Sequence, residues 1–324
     1  MTGTGVARVV IAAGGLGTRV SAWSRYLPKE FYPVDGRPGI THLLDEITAL
    51  APAEAVLVYH PYYERFAAWA RAALSQDGAD RYRRAAGLIR TGRSDAGVTL
   101  DFIAQRGPYA DITSVLNGAD HLAADGDLYV MFADNLYPAG NPLPSLLAAP
   151  SGHVVVLARA YQRELAAARG VIAATRQDGH LLMTDLTEKP DQRTARDLEL
   201  RHGAANLLLL EGRARLTPAF IRAGRCRQPA ADTEPKLALA IADWARSHPV
   251  IVTPTASPVI DLGASPRCSC TPCHLHSGQH PATPALEEHH ASTIPRKALR
   301  ARQLTNAMGH RRWPVRDPGL QPGP

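Results

Sequence analysis

Cysteine is scarce in this chain of 324 residues, with four in all. Cys226 stands alone in the first 265 positions, while Cys268, Cys270 and Cys273 crowd together further on, so a disulfide framework for the main body is excluded. Long apolar runs are missing too. None reaches the roughly 18 residues that cross a bilayer, and the opening MTGTGVARVV has no basic segment followed by a long apolar stretch. A cytoplasmic protein without a membrane partner is the expectation. The net charge of +6 suggests nucleic acid until it is located. Residues 266–324 hold eight Arg or Lys against Glu287, Glu288 and Asp317, a surplus of five, so the body carries only about +1. No nucleic-acid partner is expected.

What is present is an apolar share of 45%, enough for a sizeable core, and a regular alternation of strand and helix signals. Val6–Ala13 and 54–60 (EAVLVYH) read as buried strands, with Ile40, Leu43, Leu44 and Ile47 marking one face of a helix between them. Helical spacing follows at 62–74, a strand at 98–105, a helix at 113–124 and a strand at 127–135 that ends on Asp134. Strand 153–160 precedes two short strands joined at Asp178-Gly179, a dipeptide that favours a type I′ hairpin. Helices at 218–223 and 234–247 and a last strand VIVTPT close the body. This pattern predicts an α/β fold, Rossmann-like, with a mainly parallel mixed sheet flanked by helices. Gln76–Gly97, rich in Arg, Asp and Gly, reads as an irregular insertion or a helix with solvated faces.

Residues 266–324 have a different composition, rich in Pro, His and Arg without sustained periodicity. They are expected to add little packed structure to a domain spanning 1–265. The Cys and His residues there lack the paired spacing of ordinary zinc sites, and no zinc site is inferred.

The stretch VVIAAGGLGTRVSAWSRYLPKEFYPVDGRP, residues 9–38, carries the chemistry. A Walker loop needs a Lys directly after its glycines, and none is there. A dinucleotide loop needs a third glycine where Val20 stands and a helix where Pro28 and Pro33 intervene. Gly14, Gly15 and Gly17 instead suit a turn whose backbone amides approach a triphosphate closely, with Arg19 and Lys29 adding positive charge.

GGLGTR followed by PKEFYPVDGRP resembles the signature of the sugar-1-phosphate nucleotidyltransferases, and LPKEFYPV is most similar to their bacterial UTP:glucose-1-phosphate uridylyltransferase branch. Further landmarks follow in family order across residues 6–265. The resemblance implies the nucleotidyltransferase fold. It implies Asp134 and Asp261, the latter in VIDLG, as carboxylates for a catalytic Mg²⁺. For an isolated Asp134 a turn or capping role remains open. In TEKP, the resemblance gives Lys189 to the sugar phosphate and Glu188 to sugar hydroxyls. Asn206 in ANLLLL and Glu234 in TEPKLALAI are similar to sugar-contacting positions, although an acid near a helix start also suits the helix dipole. Gln105 and Gly107 match a base-reading position. There Pro108, Tyr109 and Asp111 are bulkier than the family's Gly-rich stretch, which leaves UTP, dTTP and other nucleotides open.

The implied reaction joins an NTP, UTP first, to a sugar 1-phosphate, glucose 1-phosphate first, releasing pyrophosphate. Arg19, Lys29 and Lys189 are the expected catalytic cations. A homo-oligomer is left open. The competing expectation is a regulatory relative that binds nucleotide or sugar phosphate without turnover.

Overall fold

Val9, Val10 and Ile11 are fully buried in β1 (Ala7–Ala13), as an unbroken apolar run must be when both faces of its strand are covered. The computed structural model describes residues 5–74, 97–226 and 235–263. The chain divides into two units, Met1–Ser277 and Gly278–Pro324, and every described residue lies in the first. The domain boundary expected near 265, the stretch beyond it and nearly all of the 76–97 insertion lie outside the described residues.

β1 pairs in parallel with β4 (Ala53–Tyr59) and β6 (Leu128–Phe132), and β4 pairs in parallel with β5 (Val98–Ala104). With β8 (Val154–Ala160), β9 (Gly170–Gln177), β10 (His180–Glu188), β11 (Leu207–Leu216) and β12 (Val250–Pro254) they form a nine-stranded sheet ordered β5-β4-β1-β6-β11-β8-β12-β10-β9. β11 runs antiparallel to β6, β8 and β9, and β10 antiparallel to β9 and β12, while β8 and β12 are parallel. The sheet is therefore mixed, its parallel part concentrated in β5-β4-β1-β6. Two short ribbons stand apart, β2 (Pro33–Val34) with β3 (Arg37–Pro38), and β7 (Asn135–Leu136) with β13 (Ile260–Asp261).

Helices cover both faces. Val9, Ile11 and Ala13 join Ile40, Leu43 and Ile47 of the Gly39–Ile47 helix, and Ala67 and Ala70 of the Glu64–Leu74 helix, in one core cluster. Val10 points the other way, to Val115 and Ala119 of the Asp111–His121 helix, in a cluster with Phe220 and Ile241 from the Pro218–Cys226 and Leu237–Ala245 helices. Gly118 lets its helix press onto β1, because a Cβ there would lie 2.5 Å from Val10 Cγ2. Each such buried aliphatic side chain contributes about 1.5–3 kcal/mol, so the strand ends that carry the loops are held firmly.

The Asp178-Gly179 hairpin forms as predicted, both residues left-handed at φ +50° and +81°. Two of the boundaries that differ from expectation bear on the site. The strand expected to end on Asp134 ends at Phe132, although the Ala133 amide still donates to Ala12 O at 3.0 Å. The chain then turns, and Asp134 sits in that turn. The helix expected from Glu234 begins at Leu237, whose amide donates to Asp111 Oδ1 at 2.7 Å; Glu234 itself lies outside the described residues.

Candidate active site

Gly14, Gly15 and Gly17 leave β1 at its carboxyl end, the edge where open α/β sheets place ligands. Gly14 has no room for a side chain: a Cβ would fall 2.0 Å from Gln105 Oε1 and 2.6 Å from Ser114 Oγ. Gly17 is left-handed at φ +62°, which a Cβ disfavours. The loop is braced from behind. Ser24 Oγ donates to Gly17 O at 2.7 Å, and the Tyr63 hydroxyl donates to Ser24 O at 2.5 Å.

The loop opens onto a cleft of about 380 Å³ whose lining also includes Arg19, Lys29, Asp134, Glu188, Lys189 and Asp261. Residues as far apart in sequence as Gly14 and Asp261 are thus brought into one depression. Lys29, only 7% exposed, follows Pro28 in a short 3-10 turn that aims its ammonium back at the loop. Its Nζ lies 2.5 Å from Glu30 Oε1 and 3.5 Å from Asp134 Oδ2. Burial alone would pull this ammonium down, but the Asp134 and Glu30 carboxylates hold it above the ordinary lysine value. Burial likewise pushes Glu30 up, with Lys29 opposing. Asp134 ends below the usual carboxylate range: burial would raise it, and Lys29, a backbone amide and Asn135 outweigh that. The site therefore keeps a charged lysine beside an ionised aspartate.

Asp134 and Asp261 come together around Gly263. A Cβ at Gly263 would be 3.0 Å from Asp261 Oδ1, 3.5 Å from Asp134 Oδ2 and 2.8 Å from Arg19 Nη2, so the glycine leaves both carboxylates and the guanidinium open to a shared space. The β7–β13 ribbon fixes this meeting, since Leu262 N donates to Asp134 O at 2.8 Å. Among the described residues no third His, Cys, Asp or Glu completes a metal cage. Two hard carboxylates without a cage fit a hard divalent cation that keeps oxygen ligands from elsewhere.

Lys189, also in the cleft lining, follows β10 in a left-handed conformation, φ +48°, and its amide donates to Arg169 O at 3.0 Å. Glu188 Oε1 lies 3.9 Å from Lys189 Nζ and 3.4 Å from Lys236 Nζ. A carboxylate between two ammonium groups suits a polyhydroxylated ligand that also carries phosphate.

Three expected residues do not line this cleft. Gln105 is buried, with Nε2 donating to Pro108 O at 3.1 Å and Oε1 accepting from Ser114 at 2.7 Å, so its amide braces the glycine loop. Gly107, at φ +98°, shapes the turn beside it. Asn206 is exposed and spends its amide on His202 O at 2.8 Å, at a helix end. The wall near Gln105 is made by Tyr109, Asp111 and Ser114, and the Tyr109 hydroxyl accepts from Leu16 N at 3.4 Å.

Sequence reasoning missed Arg169, Glu211, Arg213 and Lys236, all of them charged. Arg169 sits between two acids and an amide: Nη2 is 3.3 Å from Asp261 Oδ2, and Nη1 is 3.1 Å from Asn135 Oδ1 and 3.6 Å from Glu211 Oε2. Glu211, wholly buried, also takes the Tyr137 hydroxyl at 2.8 Å and pairs with Arg159. Lys236 had a signal, since it lies in the TEPK segment that drew attention to Glu234.

The sequence model of the nucleotidyl transferase family matches residues 8–211, and the chain belongs to that family. The bifunctional protein GlmU of Paramagnetospirillum magneticum is 41% identical over 56 residues, which are 17% of this chain and 12% of GlmU. A UDP-glucose pyrophosphorylase solved with UDP-glucose superposes with a TM-score of 0.62 at 17% identity, over 84% of this chain and 96% of that one. The inositol-1-phosphate CTP transferase of T. maritima gives 0.55 at 13%, over 84% and 92%. The fold is shared with both structures.

Proposed function

We propose that the chain joins an NTP to a sugar 1-phosphate, releasing pyrophosphate and an NDP-sugar, with UTP and glucose 1-phosphate the first pair to test. One observation carries this reading: two carboxylates and two cations gather beside the glycine loop, and a Glu–Lys pair lines the same cleft. The choice of UTP and glucose 1-phosphate follows the likeness of LPKEFYPV to the uridylyltransferase branch, and a structural neighbour that holds UDP-glucose.

In this account the amides of Gly14, Gly15 and Gly17 receive the triphosphate, with no Cβ to hold it away. Glu188 accepts from sugar hydroxyls, and Lys189 orients the sugar phosphate. An oxygen of that phosphate attacks the nucleotide α-phosphorus in line. The bond from the α-phosphorus to the bridging oxygen breaks, and pyrophosphate leaves with the electron pair. Arg19 and Lys29 meet the charge that develops on it. No covalent nucleophile is required, so catalysis is positioning and charge neutralisation. Asp134 and Asp261 would hold Mg²⁺, which when bound supplies Lewis-acid neutralisation of phosphate charge. Asp261 is partnered by Arg169 and Asp134 by Lys29, so each carboxylate is held in place by a neighbouring cation. A pyrophosphate-release assay across panels of NTPs and sugar 1-phosphates tests the reading; release with none of them would leave the regulatory binder as the better one.

A further inference from the structure

Arg213 projects from β11 with its side chain fully out of solvent, and its charge is met by Glu46, 167 residues away on the Gly39–Ile47 helix. Nε donates to Glu46 Oε2 at 2.9 Å and Nη2 to Oε1 at 2.8 Å, a bidentate pair. The rest of the guanidinium is spent on backbone. Nη1 donates to Phe132 O at 3.1 Å and Gly212 O at 2.9 Å, and Nη2 to Asn135 O at 2.7 Å.

The Phe132 and Asn135 carbonyls bracket the turn that carries Asp134, and Asn135 Nδ2 donates to Asp134 Oδ1 at 3.0 Å. Gly212 presses on the same turn, because a Cβ there would lie 2.9 Å from Asn135 Oδ1 and 3.1 Å from Phe132 Cβ. A buried ion pair is a poor device for stability alone, since an apolar pair of similar volume holds a core at least as well. An apolar pair cannot grip two carbonyls of a turn that has just left the sheet. We propose that the Glu46–Arg213 pair is a positioning clamp that sets the Asp134 carboxylate, and through it the affinity of the nucleotide-loaded site for a divalent cation. The inference rests on Asp134 being a metal carboxylate.

The test uses Mn²⁺ as the probe, read by its electron paramagnetic resonance signal in the presence of UTP, with UTP affinity in EDTA as the control. Wild type should bind Mn²⁺ with UTP, and Asp134→Asn should not. If wild type shows no Mn²⁺ site, or Asp134→Asn keeps one, the metal reading fails and the clamp falls with it. The double variant Glu46→Leu/Arg213→Met removes both charges and should unfold as cooperatively as wild type. Its Mn²⁺ affinity should drop about 10- to 100-fold, the range typical for partners of metal ligands, while UTP affinity in EDTA stays within about two-fold. A folded double variant with unchanged Mn²⁺ affinity overturns the clamp. If that variant does not fold, Arg213→Lys decides by the same readings, because one ammonium cannot span a carboxylate and two carbonyls. Unchanged Mn²⁺ affinity there equally overturns it.

Discussion

Replacing Gly14 by alanine puts a methyl carbon 2.0 Å from Gln105 Oε1 and 2.6 Å from Ser114 Oγ. Neither atom is free to retreat, because Ser114 donates to Gln105 at 2.7 Å and Gln105 donates onward to Pro108 O at 3.1 Å. Displacing Gln105 breaks both bonds. Two hydrogen bonds at about 1 kcal/mol each, with about 1–3 kcal/mol of overpacking, give a loss of about 3–5 kcal/mol. For a domain of this size that lowers Tm by roughly 6–20 °C. The same substitution one residue on behaves differently. At Gly15 the nearest atoms are Lys29 Cε at 3.7 Å, Lys29 Nζ at 3.8 Å and Tyr109 Oη at 4.0 Å, ordinary contacts. Stability should stay within about 0.5 kcal/mol of wild type. The methyl group, however, stands between the loop amides and Lys29, where the account places the triphosphate, so UTP affinity should fall about ten-fold or more. Thermal unfolding beside UTP calorimetry reads both effects. The reasoning is refuted if Gly14→Ala unfolds within about 0.5 kcal/mol of wild type, or if Gly15→Ala loses as much stability as Gly14→Ala.

Gly263→Ala should wedge between Arg19 and Asp261, at 2.8 and 3.0 Å from the new carbon, and lower turnover about ten-fold while thermal unfolding barely shifts; unchanged kcat would contradict the placement. Lys189→Ala should reduce sugar 1-phosphate use roughly 10- to 100-fold or more with nucleotide affinity unchanged, since one charged hydrogen bond contributes about 1.5–3 kcal/mol. Lys29→Ala should instead weaken nucleotide binding and destabilise by about 3–5 kcal/mol, because Glu30 loses its buried cation; calorimetry beside sugar-phosphate kinetics separates the two lysines. Burial, with an acceptor at Glu64, pushes the Tyr59 phenol up to about 12, and burial near Glu30 does the same for Tyr63. The folded state favours the neutral phenols, so their contribution is full below about pH 10 and is lost as pH rises toward about 12. Urea midpoints across that window should fall, and a flat profile would refute the assignment.

The parallel block was legible because Val9-Val10-Ile11 and Ala55-Val56-Leu57-Val58 are apolar on both faces, and the Asp178-Gly179 hairpin because only a few residues tolerate two left-handed positions. The glycine-loop side of the cleft was legible as one continuous segment, from Gly14 to Lys29. The end of β6 was not, because the apolar run continues through Ala133 while the turn is set by Arg213 from another strand. Arg169, Glu211 and the Glu46–Arg213 pair escaped for the same reason: each answers a partner at least 34 residues away, and no local pattern encodes such a distance. Gln105 and Asn206 stand outside the cleft lining, their amides spent on Pro108, Ser114 and His202, because residue type alone does not say whether an amide turns toward a ligand or toward its own loop.

The central claim is the chemistry of the cleft, and ³¹P NMR of the wild-type chain with UTP, glucose 1-phosphate and Mg²⁺ tests it most directly. The account predicts that the UTP and sugar-phosphate signals decline together while a UDP-sugar diphosphate and free pyrophosphate grow in equal amounts, and that EDTA stops both. UTP that binds the protein while the spectrum stays unchanged, with glucose 1-phosphate and with every other sugar 1-phosphate and NTP tried, would contradict it.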